Sequence, residues 1–195
     1  MARSIVEFFE KLPDVRRGAG QRHSQTLVLV LVLMSTMSGC YSYRAMGDFI
    51  AANKAALRKH LRPHKGRLPS FDTLRRVMMT LDFAEVNRQF RAWAMQYVKM
   101  EKGEWISVDG KALSGTAVVQ SSQHKQAFVS LVSVYCSKQK LVLANSEVLN
   151  HKQSEIPVVQ SLIEALHLKE VTFSLDALHC QKKQPPSLKK VAAIM

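Results

Sequence analysis

Two aspartates, Asp109 and Asp176, each directly follow a short β-branched or apolar run, at residues 105–108 and 171–175. If these runs are neighbouring parallel strands, both carboxylates emerge at the same carboxyl edge of a sheet, where open α/β sheets place their sites. Paired carboxylates there suit Mg²⁺, which prefers hard oxygen ligands. Two such ions stabilise the attacking and leaving oxygens of a phosphodiester displacement. The pattern therefore predicts metal-dependent phosphodiester chemistry, although an aspartate after a strand also commonly opens a turn.

The segments that must position these aspartates have the residue pattern of a small sheet with one helix. Three strand-like runs separated by polar or glycine-containing turns predict an antiparallel meander, at residues 105–108, 127–135 and 141–149. Residues 156–168 follow with apolar positions on one helical face, and 171–175 predict a fourth strand. The order β-β-β-α-β predicts that the helix crosses over and places the fourth strand parallel to a strand already present.

The first hundred residues predict helices. Residues 26–38 are apolar nearly all round, so their length favours a buried helix while the alternation of Leu and Val leaves a strand open. Ser70 is a helix cap, and Asp82 with Glu85 forms a capping-box pattern. Apolar and aromatic residues then recur every three or four positions from Phe83 to Met100, which favours a buried helix face over a base-stacking surface. We expect an α+β protein: a helical N-terminal domain at 1–100, an α/β domain at 101–183 and a tail at 184–195.

The composition points to a polyanionic partner. Lys and Arg number 28 against 15 Asp and Glu, for a net charge of +13, and such a surplus binds nucleic acid by neutralising phosphates. The three cysteines are far apart and predict reduced thiols in a cytoplasmic protein rather than a disulfide framework or a structural metal site. No apolar run is long enough to span a membrane, so we expect a soluble chain.

Several ordered motifs closely resemble the H-repeat-associated transposases linked to Rhs elements, which are DDE transposases of bacterial insertion sequences. They are FFEKLPDVRR (8–17), GRLPSFDTLRRVMMTLD (66–82), 90–93, ISVDGKAL (106–113), VLNHKQSEIP (148–157) and LDALHCQKK (175–183). The resemblance covers the chain from about its start to Lys183. It implies a helical N-terminal region and an RNase H-like catalytic domain that cuts and rejoins DNA at transposon ends with Mg²⁺ or Mn²⁺. It also implies terminal repeats and target DNA as partners, and leaves a homo-oligomer open.

The motifs assign Asp109 in VDGK and Asp176 in LDALHCQ as catalytic metal ligands by resemblance. A third acid is expected on a later helix, yet no Asp or Glu follows Asp176, and Pro185 and Pro186 interrupt the helix that the family has there. We therefore expect a C-terminally truncated RNase H-like domain, a frameshift near Lys183 and a catalytically inactive chain. Loss of the fifth strand is expected to leave a sheet edge uncovered.

Two alternatives remain open at this stage. The basic N-terminal region predicts DNA contacts, and without catalysis the chain would be a repressor bound to transposon ends. A ribonuclease-like enzyme completed by Glu155 or Glu164 of the crossover helix is the other. The residues proposed to contact DNA are Arg16, Arg17, Arg22, Arg75, Arg76, Lys111 and Lys182. The helices around residues 70–76 are also candidates for a helix-turn-helix reader.

Overall fold

The computed structural model describes residues 4–119, 126–149, 155–168, 170–175 and 191–193. It divides into two compact units, Met1–Gln89 and Phe90–Met195. The division lies within a helix, and the assignment of separate functional domains to 1–100, 101–183 and 184–195 stays a prediction.

The first unit is helical, as the sequence predicts. Its helices, together with the one that reaches into the second unit, are α1 (Ile5–Glu10), α2 (Gln25–Met37), α3 (Tyr43–Ala52), α4 (Lys54–Leu61), α5 (Phe71–Thr80) and α6 (Phe83–Ala94). The run at 26–38 is therefore a helix and not a strand. None of the helices in the described ranges is long and apolar enough to cross a membrane.

Side-chain caps start several of these helices. The Ser70 hydroxyl accepts the amide of Thr73 at 3.4 Å, and the Asp82 carboxylate accepts the amide of Ala84 at 2.9 Å. The predicted capping-box partner, Glu85, instead accepts from the Arg88 guanidinium at 2.6 and 2.7 Å. The caps are confirmed at Ser70 and Asp82, while Glu85 is held by an ion pair one turn later.

Helix α6 is shorter than its apolar stripe. It ends at Ala94, although the pattern predicts a helix reaching Met100. The amides of Gln96 and Tyr97 bond the carbonyls of Trp93 and Ala94, three residues back, at 3.2 and 3.0 Å. These tighter turns close the helix because the i to i−4 ladder is not continued.

The core of the first unit is formed by α2, α3, α4 and α5. Its buried members are Val28, Leu31, Met46, Ile50, Leu57, Leu74 and Val77. Helix α2 supplies Val28 and Leu31, both with no exposed surface, which explains why this segment is apolar over so much of its circumference.

The second unit contains a mixed five-stranded sheet in the order β3-β2-β1-β4-β5. The elements are β1 (Trp105–Val119), β2 (Gln126–Cys136), β3 (Leu141–Leu149), α7 (Glu155–Leu166), β4 (Thr172–Leu175) and β5 (Val191–Ala193). The predicted meander is confirmed because β1, β2 and β3 pair antiparallel. The predicted parallel pairing of the first and fourth strands is confirmed as well, through Trp105 with Thr172 and Ile106 with Phe173.

The expectation that the sheet lacks a fifth strand is wrong. Val191 pairs with Phe173 and Ala193 with Leu175, so β5 lies parallel to β4 and covers its outer edge. The short run of small and β-branched residues in the tail is compatible with a strand. Whether the tail arose from a frameshift stays a prediction, while its strand extends the predicted β-β-β-α-β order by one element.

One face of the sheet is packed against α7. Ile106 and Val108 of β1 belong to the same buried cluster as Val159 and Ile163 of α7. Since side chains alternate along a strand, the residues between them point to the opposite face. This alternation places Asp109, the residue after Val108, on the face of the sheet opposite α7.

Candidate active site on the central strand

Asp109 lies within β1 and not at its end. The sequence places a strand end at Val108, but β1 continues to Val119 by pairing with β2, with Asp109 opposite Ser133 and Leu113 opposite Val129. The prediction of a short strand is wrong because residues after Gly110 find antiparallel partners on β2, which no feature of β1 alone reveals.

The parallel pairing of β1 with β4 nevertheless stops near Asp109. The last described parallel pair is Ser107 with Ser174, and Asp109 lies two residues beyond Ser107. The edge at which β1 leaves β4 is therefore the carboxyl edge that the sequence predicts for the site. Asp176, the second predicted ligand, lies outside the described residues.

The Asp109 carboxylate is exposed to solvent, as is Lys111 on the same face. Both project from the face opposite α7, because their neighbours Val108 and Ile106 are buried in the helix-covered cluster. A carboxylate and an ammonium two residues apart on an open face are accessible to a large polyanionic substrate.

Asp109 begins a row of oxygen-bearing side chains across three strands. It pairs with Ser133 on β2, and Ser133 pairs with Asn145 on β3. The Oδ1 atom of Asn145 is buried and has no hydrogen-bond partner among the described residues. Adjacent strands lie about 4.8 Å apart, so Asn145 is roughly 10 Å from Asp109 and does not share one ion with it.

The donor chemistry of Asp109 suits Mg²⁺, but the described residues do not complete a metal site. Carboxylate oxygen is the preferred ligand type for this ion. No group of three or more His, Cys, Asp or Glu side chains that would hold a metal occurs in the described part of the chain, which leaves out residues 176–190. Asp176 stays the second carboxylate that the sequence predicts for this site.

The crossover helix gives little support to a third acid. Glu164 is exposed on α7, and α7 covers the face of the sheet opposite Asp109, where it contacts β3. The side chain of Glu155 lies outside the described residues. Participation of either glutamate stays a prediction.

The basic residues proposed from the sequence have different surroundings. Arg16 is bound to the Asp14 carboxylate at 2.6 Å and to the carbonyls of Gly20 and His23, and its side chain is 8% exposed. This geometry favours a structural role for Arg16 in holding the 14–23 loop. The other candidates in the described residues are exposed and available to a ligand: Arg17, Arg22, Arg75, Arg76 and Lys111. Lys182 lies outside the described residues.

Arg16 also lowers the pKa of Asp14, mainly through their side-chain hydrogen bond. The two adjacent arginines therefore differ in their surroundings. The Arg16 side chain is paired with Asp14 and nearly covered, whereas Arg17 is exposed. The sequence shows two adjacent cations, but only the structure separates their environments.

The DNA contacts predicted from the sequence leave out three exposed cations, Lys54, Arg58 and Arg67, that line a cleft of the first unit together with Arg22. The signal for them is the distribution of charge. Residues 49–71 contain six Lys and Arg and no Asp or Glu.

Comparison with known proteins agrees with the motifs. Residues 6–94 match the model of the DDE_Tnp_1-associated family. Over 179 residues the chain is 26% identical to "Putative transposase YncI" of Escherichia coli K12, covering 92% of this chain and 70% of that protein. The chain is therefore similar to putative transposases, including H repeat-associated ones. A second similar protein, "H repeat-associated putative transposase YbfD" of the same strain, is 23% identical over 188 residues, covering 96% of this chain and 72% of that one.

The curated relatives that the chain matches are longer than it. The chain spans from 45% to 72% of the length of the curated relatives that it matches. Among solved structures, the piggyBac transposase synaptic complex with hairpin DNA covers 96% of this chain at 12% identity, with 45% of that chain matched. Its TM-score of 0.44 is too low to bear on the fold.

Proposed function

We propose that the chain acts in DNA transposition, by Mg²⁺-dependent DNA cleavage and strand transfer, with Asp109 and Asp176 as metal-binding carboxylates. The observation that carries the proposal is the position of Asp109, exposed and two residues beyond the last parallel pair of β1 and β4. Asp176 lies two residues beyond Ser174, the other member of that pair. Equal spacing in the sequence beyond two parallel-paired residues favours paired carboxylates at the carboxyl edge of the sheet.

The finer fold in this proposal is an RNase H-like domain. The order β3-β2-β1-β4-β5, with an antiparallel meander on one side of β1 and parallel strands on the other, supports it. A bound Mg²⁺ would supply Lewis-acid polarisation of the phosphodiester and a more acidic nucleophilic water. Asp109 would hold the ion from an open face of the sheet, and Lys111 would neutralise phosphate charge beside it.

The decisive experiment compares Asp109→Asn with the full chain on a labelled duplex that carries the element's terminal sequence, with MgCl₂. Loss of a metal-binding carboxylate removes several kcal/mol of charge stabilisation, so cleavage falls roughly a hundredfold or more. The matched control is Glu147→Gln, an exposed carboxylate on β3 of the same sheet, which cleaves like the parent chain. Cleavage by Asp109→Asn at the parent rate overturns the assignment. The inactivity expected from the sequence stays a prediction: a parent chain that does not cleave agrees with it and favours the second candidate function.

A second candidate function is DNA binding at transposon ends without cleavage. Unit Met1–Gln89 favours it because that unit contains 15 Lys and Arg against 7 Asp and Glu. Duplex binding that is specific for the terminal sequence, with no cleavage in MgCl₂ or MnCl₂, supports this function over the enzymatic one.

A further inference from the structure

The strongest unassigned feature of the molecule is a cleft within the first unit. We call it the basic cleft. It has a volume of about 490 Å³, and its lining includes Arg22, His23, Lys54, Arg58 and Arg67. Ser70 and Thr73, at the start of α5, complete one wall. Three separate segments thus bring cations to one concave surface: the loop before α2, helix α4 and the loop before α5.

The charge of the basic cleft is not neutralised by its surroundings. No carboxylate lines it. In the described part of the chain, the ion pairs are made by Arg16, Arg88, Lys102 and Lys138, and none of the cleft cations takes part in one. All four cleft cations are exposed to solvent, so they are available to an external anion.

The sequence of α4 concentrates this charge at some cost to the helix. Lys54 and Arg58 are four residues apart and lie on one helical face, where like charges repel. The surrounding stretch, residues 49–71, has no acidic residue to offset them. An anionic ligand would relieve that repulsion.

His23 lines the cleft beside its cations. Burial, followed by the charges of Arg22, Arg16 and Arg67, lowers the pKa of its imidazole. A neighbouring cavity of about 730 Å³ shares Arg22 and Arg67 but is also lined by Glu10 and Asp14. The basic cleft is therefore the better anion site of the two.

The lining also limits the kind of anion. No Phe, Tyr or Trp side chain lines the cleft, so it lacks the aromatic surface on which single-stranded nucleic acids stack their bases. Several cations spread over three segments match a series of phosphates better than one small anion. Contacts to phosphate position a protein on duplex DNA and do not read its sequence.

We propose that the basic cleft binds the phosphate backbone of duplex DNA through Arg22, Lys54, Arg58 and Arg67. This inference rests on the proposed function, since it names the surface of the first unit that meets the DNA. It differs from a reader centred on Arg75 and Arg76, which lie on α5 and do not line the cleft.

The test measures binding of the full chain to a fluorescein-labelled DNA duplex by anisotropy over a series of salt concentrations. The variant is the double substitution Arg58→Ala with Arg67→Ala. Each phosphate contact contributes about 0.9 to the slope of log K against log salt, so the slope falls by about two. The control is Lys59→Ala, which removes an exposed cation from the same helix but outside the cleft and changes the slope far less.

The outcomes separate this inference from the proposed function. One outcome is that the parent chain binds the duplex and the double variant binds it with the same affinity and salt slope. The proposed role of the cleft is then overturned, while DNA binding by the chain stands. An equal loss in Lys59→Ala also overturns it, because charge alone then explains the effect. Tighter binding of the parent chain to an RNA duplex of the same sequence also overturns the inference. If the parent chain binds no duplex at low salt, the DNA-binding part of the proposed function itself fails. Circular dichroism confirms that the surface variants remain folded.

Discussion

Glu104 is a buried carboxylate at the entrance to β1, and its partners tie three strands together. Its side chain accepts the amide of Glu101 and the thiol of Cys136, each at 3.0 Å, while its carbonyl accepts the amide of Thr172 at 2.8 Å. The backbone hydrogen bond from Glu101, followed by the Cys136 thiol, lowers the pKa of this carboxyl. Burial and the hydrogen bond to Glu104 raise the pKa of the Cys136 thiol.

We expect Glu104→Gln to lower the melting temperature at pH 7, because the amide replaces one accepting oxygen with a donor among donors. A carboxyl whose folded pKa is depressed stabilises the fold above its unfolded pKa, and this contribution is lost as pH falls through the folded value. The difference between parent and variant is therefore larger at pH 7 than at about pH 3. The comparison is Glu147→Gln, an exposed carboxylate on β3. A difference that does not change with pH contradicts the linkage.

The sequence predicts which residues belong to the candidate site better than it predicts their structural surroundings. The sequence indicates Asp109 because it follows an apolar run, and the parallel neighbour expected beside that run is present. Its place within a longer strand depends on partners such as Ser133, some two dozen residues later in the chain. Arg16 and Arg17 look alike in the sequence, but only Arg16 is paired with Asp14. Such differences arise from tertiary contacts, which local spacing does not encode.

At the scale of elements, the periodicity of apolar residues predicts the type of each helix or strand more accurately than it predicts where that element ends. Helix α2 and strand β3 lie within a residue or two of their predicted bounds, since apolar burial and local caps or turns define them. Helix α6 and strand β1 do not, because their ends depend on hydrogen bonds to other segments or on a local tightening of the chain. The tail strand β5 is three residues long, too short to predict by pattern alone.

Helices α3 and α5 approach closely at Gly47. A Cβ atom added there would lie 3.1 Å from the Cβ of Phe71, closer than ordinary packing allows. Leucine has a better helix propensity than glycine by roughly 0.5–1 kcal/mol, which alone would stabilise α3. Overpacking costs about 1–3 kcal/mol, so we expect Gly47→Leu to be destabilising overall.

Urea unfolding of Gly47→Leu measures this balance. Ala52→Leu, an exposed position on the same helix, is the control and is expected to change the free energy of unfolding by less than about 0.5 kcal/mol. A more stable Gly47→Leu would mean that α3 and α5 separate at little cost, and the close approach would not constrain the fold.

At the scale of the whole molecule, each compact unit has a hydrophobic core of its own. Leu31 has no exposed surface in the helical core, and Leu143 has none in the core between the sheet and α7. A unit with its own core is able to unfold as a separate cooperative element. The proposed division of labour, DNA binding by the first unit and chemistry by the second, is compatible with such independence.

We therefore expect thermal unfolding of the full chain to show two transitions in calorimetry. Leu31→Ala should lower one of them and Leu143→Ala the other, each by roughly 10 °C or more, since loss of a buried leucine costs about 2–5 kcal/mol. Met37→Ala, at a position 80% exposed on α2, serves as the control and should leave both transitions in place. If either core variant lowers both transitions equally, the units unfold together. The DNA-binding and catalytic variants would then have to be interpreted as changes to one cooperative structure, because a loss in one unit would reach the other through shared stability.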